Sequence, residues 1–131
     1  MIGADKKVVC IEDESEMIDL ISLILRRQSV QVIGALGGRQ GLEKIESEKP
    51  DLVLLDLKMP VMNGWEVYRR MKASRAMKDI PVVVLTAMSR SFDESLNLQD
   101  GRVEDYITKP FRPGKLIESV NRVLNTEPIE G

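Results

Sequence analysis

The segment LVLLDLKMP, residues 52–60, decides the fold. Its four consecutive apolar residues, Leu52 to Leu55, suit a strand buried on both faces, because a strand with one wet face alternates apolar and polar positions. The run stops on an acid, Asp56. The next residues, Leu57-Lys58-Met59-Pro60, are not a helix start, so the carboxylate has no capping role nearby. A greasy segment that delivers a carboxylate at its tip calls for a sheet whose strand ends meet at a site.

The same alternation runs outward in both directions. Upstream, residues 6–11 (KKVVCI) read as a buried strand. Residues 15–28 read as a helix, because Met17, Ile18, Ile21, Ile24 and Leu25 recur at three- and four-residue spacing. Residues 31–35 form a second strand and residues 39–48 a second helix, with Leu42 and Ile45 facing in. Downstream, Asn63 caps a third helix that carries Trp65, Val67, Tyr68 and Met71 to about Lys72. The stretch DIPVVVLTA, residues 79–87, supplies a β-branched fourth strand, and residues 91–99 a short fourth helix. Residues 105–108 make a fifth strand, and Pro113 opens a last helix with Leu116, Ile117, Val120, Val123 and Leu124 on one face. Residues 1–125 are read as one domain and residues 126–131 as a tail, frayed or a cut linker.

Five apolar strands alternating with five helices imply a parallel sheet covered on both faces, since parallel strands need crossover helices. The expected fold is α/β: a flavodoxin-like, doubly wound (βα)5 domain with a five-stranded parallel sheet in the order 2-1-3-4-5. Such sheets bind ligands beyond the carboxyl ends of the strands, where the strand order reverses. In this order that point lies between strands one and three. Asp56 ends strand three while Glu12 and Asp13 end strand one, so three carboxylates converge on one crevice.

Composition narrows the chemistry. At 131 residues the chain has room for one sizeable core. Its net charge of −2, with both signs interspersed, offers no basic surface for nucleic acid, so any DNA contact falls to a partner. No stretch approaches the roughly 18 apolar residues of a membrane span, and the N-terminus lacks a secretory layout; the expectation is a cytoplasmic protein without membrane insertion. Cys10, the single cysteine, sits in an apolar run as an inert buried thiol. With no histidine in the chain, histidine-dependent triads and His-ligated metals are excluded. Trp65 and Tyr68 read as core or half-buried, and the seven methionines as core filler.

The acids admit structural readings. Asp13 alone reads as a cap of the following helix, and Glu12 as a solvated rim residue. Together with Asp56 they read differently, because two carboxylates about 4 Å apart repel by roughly 4 kcal/mol at an effective dielectric near 20. A cation belongs there. An all-oxygen site suits Mg²⁺, with Mn²⁺ the alternative, and Mg²⁺ binds one or two carboxylates plus a phosphate. Strand four ends at Thr86, a hydroxyl followed by the small Ala87, and strand five ends at Lys109 before Pro110. One face thus collects a carboxylate nucleophile, an acidic pair, a hydroxyl and an ammonium, the parts needed to make and hold an aspartyl phosphate.

In these features the chain resembles the receiver domains of two-component response regulators. The resemblance runs from about residue 6 to 124 and rests on CIEDE, LLDLKMPVMNG, VVVLTA and DYITKPF, in that order along the five-fold alternation. It implies that Asp56 is the phosphoacceptor, attacking the phosphohistidine of a sensor histidine kinase or phosphotransfer protein. Glu12 and Asp13 then hold Mg²⁺ with Asp56 and the backbone carbonyl of Lys58, Lys109 pairs with a phosphoryl oxygen, and its peptide to Pro110 is cis. Thr86 moves toward the phosphoryl group and Tyr106 turns inward behind it, remodelling the surface of the fourth helix, fifth strand and fifth helix; added charge of about −1.5 to −2 drives the switch. Lys58 and Met88, each two positions beyond a key residue, tune dephosphorylation, with bulky Met88 slowing it. Such a protein catalyses only its own phosphorylation and dephosphorylation, acts on a downstream protein target, and by the family habit forms a homodimer through the fourth-helix to fifth-helix face. It departs from the family in DGRVEDY, residues 100–106, where a tighter Gly-Ala turn is common.

Other phosphate-handling readings fit less well. A haloacid-dehalogenase-type phosphatase needs a second acid where Lys58 stands, and a flavodoxin needs a Ser/Thr/Gly phosphate loop where this chain has EDESEM. A P-loop is absent. The alternative from another class is a receiver-like interaction module that works without phosphorylation, and either protein is a stand-alone receiver or part of a larger regulator or hybrid kinase.

Overall fold

The computed structural model describes residues 6–87 and 103–124. Five strands, β1 (Lys6–Glu12), β2 (Val30–Leu36), β3 (Leu52–Asp56), β4 (Val82–Thr86) and β5 (Asp105–Thr108), alternate with α1 (Ser15–Arg26), α2 (Gly38–Glu48), α3 (Gly64–Lys72) and α4 (Pro113–Leu124). The helix expected at residues 91–99 and the tail at 126–131 lie outside the described residues, so α4 is the helix expected as the fifth.

The strands form one parallel sheet in the order β2-β1-β3-β4-β5, as the apolar runs predict. Side chains alternate across it. Val9, Ile11, Val53, Leu55, Val82 and Val84 pack with Ile45, Val67, Tyr68 and Met71 from α2 and α3. Val8, Cys10, Leu52, Leu54, Val83 and Leu85 pack with Ile21, Leu25, Leu116 and Val120 from α1 and α4. Both faces are therefore dry, and each fully buried aliphatic side chain contributes roughly 1.5–3 kcal/mol. Cys10 is buried, and burial pushes its thiol well above the ordinary range, which keeps it inert. Trp65 and Tyr68 meet edge to face, ring centroids 5.6 Å apart, within the α3 side of the core. Met59 and Met71 are buried there too, and Met62 and Met77 pack against them.

Several boundaries differ from the sequence reading. The first helix stops at Arg26 rather than at residue 28. There the Gln28 and Ser29 amides donate to the Leu25 and Arg26 carbonyls, and Ser29 takes a left-handed φ of 59° that turns the chain into β2. β1 and β2 each run longer than expected because they pair from Lys6↔Val30 through Glu12↔Leu36. Asp13 is not the cap of α1. That position belongs to Glu14, which makes no side-chain capping bond. At α3 the expectation holds, with Asn63 Oδ1 accepting the Glu66 amide at 3.0 Å.

Candidate functional site

The carboxyl ends of β1, β3, β4 and β5 build the site. Because Ile11 pairs with Leu55, the next residues, Glu12 and Asp56, stand side by side at the sheet edge. Both are buried, as is Thr86, while Asp13 is exposed at the rim. The solvated-rim reading of Glu12 therefore fails, since its side chain has no exposed area. Oxygens of Glu12, Asp13 and Asp56 all lie within 4.8 Å of one another.

Lys109 follows β5, its amide donating to the Thr86 carbonyl at 2.8 Å, and its peptide to Pro110 is cis. The ammonium donates to Glu12 Oε2 at 2.5 Å and lies 3.7 Å from Asp56 Oδ2. The other Glu12 oxygen accepts the Asp13 amide at 3.2 Å. On Asp56, Oδ1 accepts the Lys58 amide at 3.2 Å. The Lys58 side chain is exposed. Tyr106 lies inward and buried opposite Val84, within the α3 side of the core. Met88 lies outside the described residues, as does the fourth helix of the expected switch surface.

The charges do not balance. Among the described residues, the carboxylates of Glu12, Asp13 and Asp56 share the ammonium of Lys109, and two charges within 4.8 Å repel by at least about 3.5 kcal/mol at an effective dielectric near 20. Burial, then the Glu12 carboxylate, pushes the Asp56 carboxyl up to about 7, against the opposing pull of Lys109 and the Lys58 amide. Burial alone would lower Lys109, but its hydrogen bond to Glu12 and attraction to Asp56 outweigh that and hold it above the ordinary range. A buried, acid-rich pocket with an all-oxygen donor set fits a hard divalent cation such as Mg²⁺.

Two features of the site region escaped the sequence reading. The Glu12–Lys109 pair joins residues 97 apart, and the extra methylene of Glu over Asp was its one local hint. Asp105, at the start of β5, is buried and held by Ser119 Oγ at 2.7 Å, Arg122 at 2.5 Å and the Tyr106 amide at 2.8 Å. Burial works to raise its carboxyl, but those three bonds together hold it below the usual carboxylate range. The spacing of Ser119 and Arg122 on one face of α4 was the available signal.

Residues 8–121 match the response regulator receiver domain family, and the chain belongs to that family. Receiver domains act in two-component signal transduction, and phosphorylation on an aspartate is typical of them. They typically bind Mg²⁺ at an acidic pocket and are phosphorylated by histidine kinases. The alkaline phosphatase synthesis transcriptional regulatory protein PhoP of Bacillus subtilis is 36% identical over 125 residues, 95% of this chain and 51% of PhoP. The chain thus spans about half the length of that relative. Among solved structures, the chemotaxis protein CheY4 of Vibrio cholerae superposes with a TM-score of 0.85 at 27% identity, covering 92% of this chain and 99% of CheY4. The receiver domain of sensor histidine kinase PA1611 from Pseudomonas aeruginosa PAO1, with a magnesium ion coordinated in its active site cleft, gives 0.82 at 27% identity, covering 94% and 100%. Among the described residues, no helix is long and apolar enough to cross a membrane.

Proposed function

We propose that Asp56 is the phosphoacceptor of this receiver domain. The observation that carries the reading is the pocket itself: Asp56 is buried, with oxygens of Glu12 and Asp13 within 4.8 Å and Lys109 Nζ 3.7 Å from its Oδ2. An Asp56 oxygen forms a bond to phosphorus as the donor's bond from phosphorus to the histidine nitrogen breaks. The imidazole leaves with that electron pair and is then reprotonated from solvent. Glu12, Asp13, Asp56 and the Lys58 carbonyl are the groups that would hold Mg²⁺, which supplies neutralisation of the phosphoryl oxygens when bound. Lys109 balances one further oxygen, and the Thr86 hydroxyl donates to another. The phosphodonor is a sensor histidine kinase or phosphotransfer protein.

Residues 1–125 form the receiver unit in this reading, and 126–131 the tail. Tyr106, already buried, carries the signal to the surface around β5 and α4, where a downstream protein or a second copy reads it. Direct contact with nucleic acid is assigned to partners or to other segments, because the charge of −2 gives this chain no basic face. Incubation with acetyl phosphate, with and without Mg²⁺, followed by intact mass tests the reading. A Mg²⁺-dependent, base-labile gain of one phosphoryl group that Asp56→Asn abolishes is expected. No gain from small donors or from histidine kinases would return the domain to a phosphorylation-independent interaction module.

A further inference from the structure

We propose that Gly64 is a positioning residue for the acceptor carboxylate, through direct contact between the first turn of α3 and the backbone of Asp56. The inference rests on the reading of Asp56 as acceptor. Gly64 opens α3, is buried, and its amide donates to the Leu57 carbonyl at 3.0 Å, closing the loop after β3. A Cβ at this position would overlap the Asp56 carbonyl oxygen and lie 2.7 Å from Leu57 Cα and 2.9 Å from Leu57 Cδ2. Two of these three obstacles are backbone atoms, which cannot rotate aside.

The other tight glycines differ in kind. Gly34 and Gly41 face the side chains of Ile18 and Ile11, each 2.5 Å from the added carbon, and Gly38 faces Met62 and Val67. Those obstacles are side-chain atoms, so relief there displaces side chains and not the Asp56 backbone. At Gly64 the relief has to come from Asp56 and Leu57 themselves. Asp56 Oδ1 is tied to the Lys58 amide at 3.2 Å, so a shift of this backbone carries the carboxylate with it. Helix propensity points the other way, since Ala is favoured over Gly inside a helix by roughly 0.8–1 kcal/mol. A loss on Gly64→Ala therefore measures the contact and not the helix. Misplacement of a reacting group by about 1 Å costs on the order of a hundredfold in rate.

The test compares wild type, Gly64→Ala and Gly34→Ala, each shown to be folded by circular dichroism. Mg²⁺ affinity is measured by calorimetry, and the phosphorylation rate by intact mass over a range of acetyl phosphate concentrations at saturating Mg²⁺. Gly64→Ala is expected to weaken Mg²⁺ binding about tenfold and to lower the maximal rate by about 10–100-fold, with little change in the half-saturating donor concentration. Gly34→Ala, an equally close contact on the far edge of the sheet, is expected to lose stability while keeping both quantities. Mg²⁺ affinity and maximal rate within twofold of wild type in folded Gly64→Ala would overturn the proposal. Should that variant not fold in buffer, the same comparison is made in trimethylamine oxide, which strengthens burial and favours the folded state, and a Mg²⁺ affinity within twofold of wild type there would overturn the proposal. Failure of wild type itself to take a phosphoryl group would instead refute Asp56 as acceptor, leaving the Mg²⁺ comparison to decide the role of Gly64.

Discussion

Replacing Asp56 by Asn is expected to stabilise the metal-free domain at neutral pH. Burial and the Glu12 carboxylate raise the Asp56 carboxyl from 3.8 to about 7. Relative to the unfolded chain, the group therefore contributes stability that is fully present below its unfolded value and is lost as pH rises through about 7. Above that, the charged form is a burden on the fold. At about 1.4 kcal/mol per tenfold, the burden is at most about 4 kcal/mol. The Asn amide is buried in turn with incomplete hydrogen bonding, a cost of about 1–3 kcal/mol. The net gain is then about 2 kcal/mol, or roughly 6–10 °C in Tm for a domain of this size. Thermal and urea unfolding of both proteins in excess EDTA measures it. Mg²⁺ should raise wild type more than the variant and narrow the gap, by mass action on the folded state. By about pH 5 the electrostatic part falls below half its neutral value and the gap should vanish. A variant less stable than wild type in EDTA at neutral pH would refute the reasoning, showing that Lys109 already compensates the Asp56 charge.

Two more outcomes are expected. Ser119→Ala removes one of the bonds that hold Asp105 and should cost about 1–3 kcal/mol in urea unfolding; because the Asp105 carboxyl is held low, that gap should persist through neutral pH and close only as pH falls through its depressed value. Val61 is fully exposed at a φ of 68°, a region costly for a β-branched residue, so Val61→Gly should raise Tm by about 2–5 °C in thermal unfolding, and a fall would show that its side chain makes stabilising contacts.

Much of this protein was written in short-range pattern. The double-faced apolar runs at Val8–Ile11, Leu52–Leu55 and Val82–Leu85 required a parallel sheet, and the parallel sheet required helical crossovers. Once the strand order was 2-1-3-4-5, the acids at the ends of β1 and β3 had to meet, so Glu12, Asp13 and Asp56 were identifiable as a group from residue order alone. The Asn63 cap was legible for the same reason, because a cap acts over three residues. What the sequence did not disclose depends on groups brought together from far apart. Glu12 reaches across 97 residues to Lys109, Asp105 finds Ser119 and Arg122 on α4, and Gly64 sits where any Cβ would strike the Asp56 backbone. Asp13 looked like a helix cap and is instead an exposed acid, with Glu14 in the capping position. Periodicity specifies which face of an element is buried, but the partner of a buried charge is chosen only when the sheet closes and burial makes every unpaired group costly.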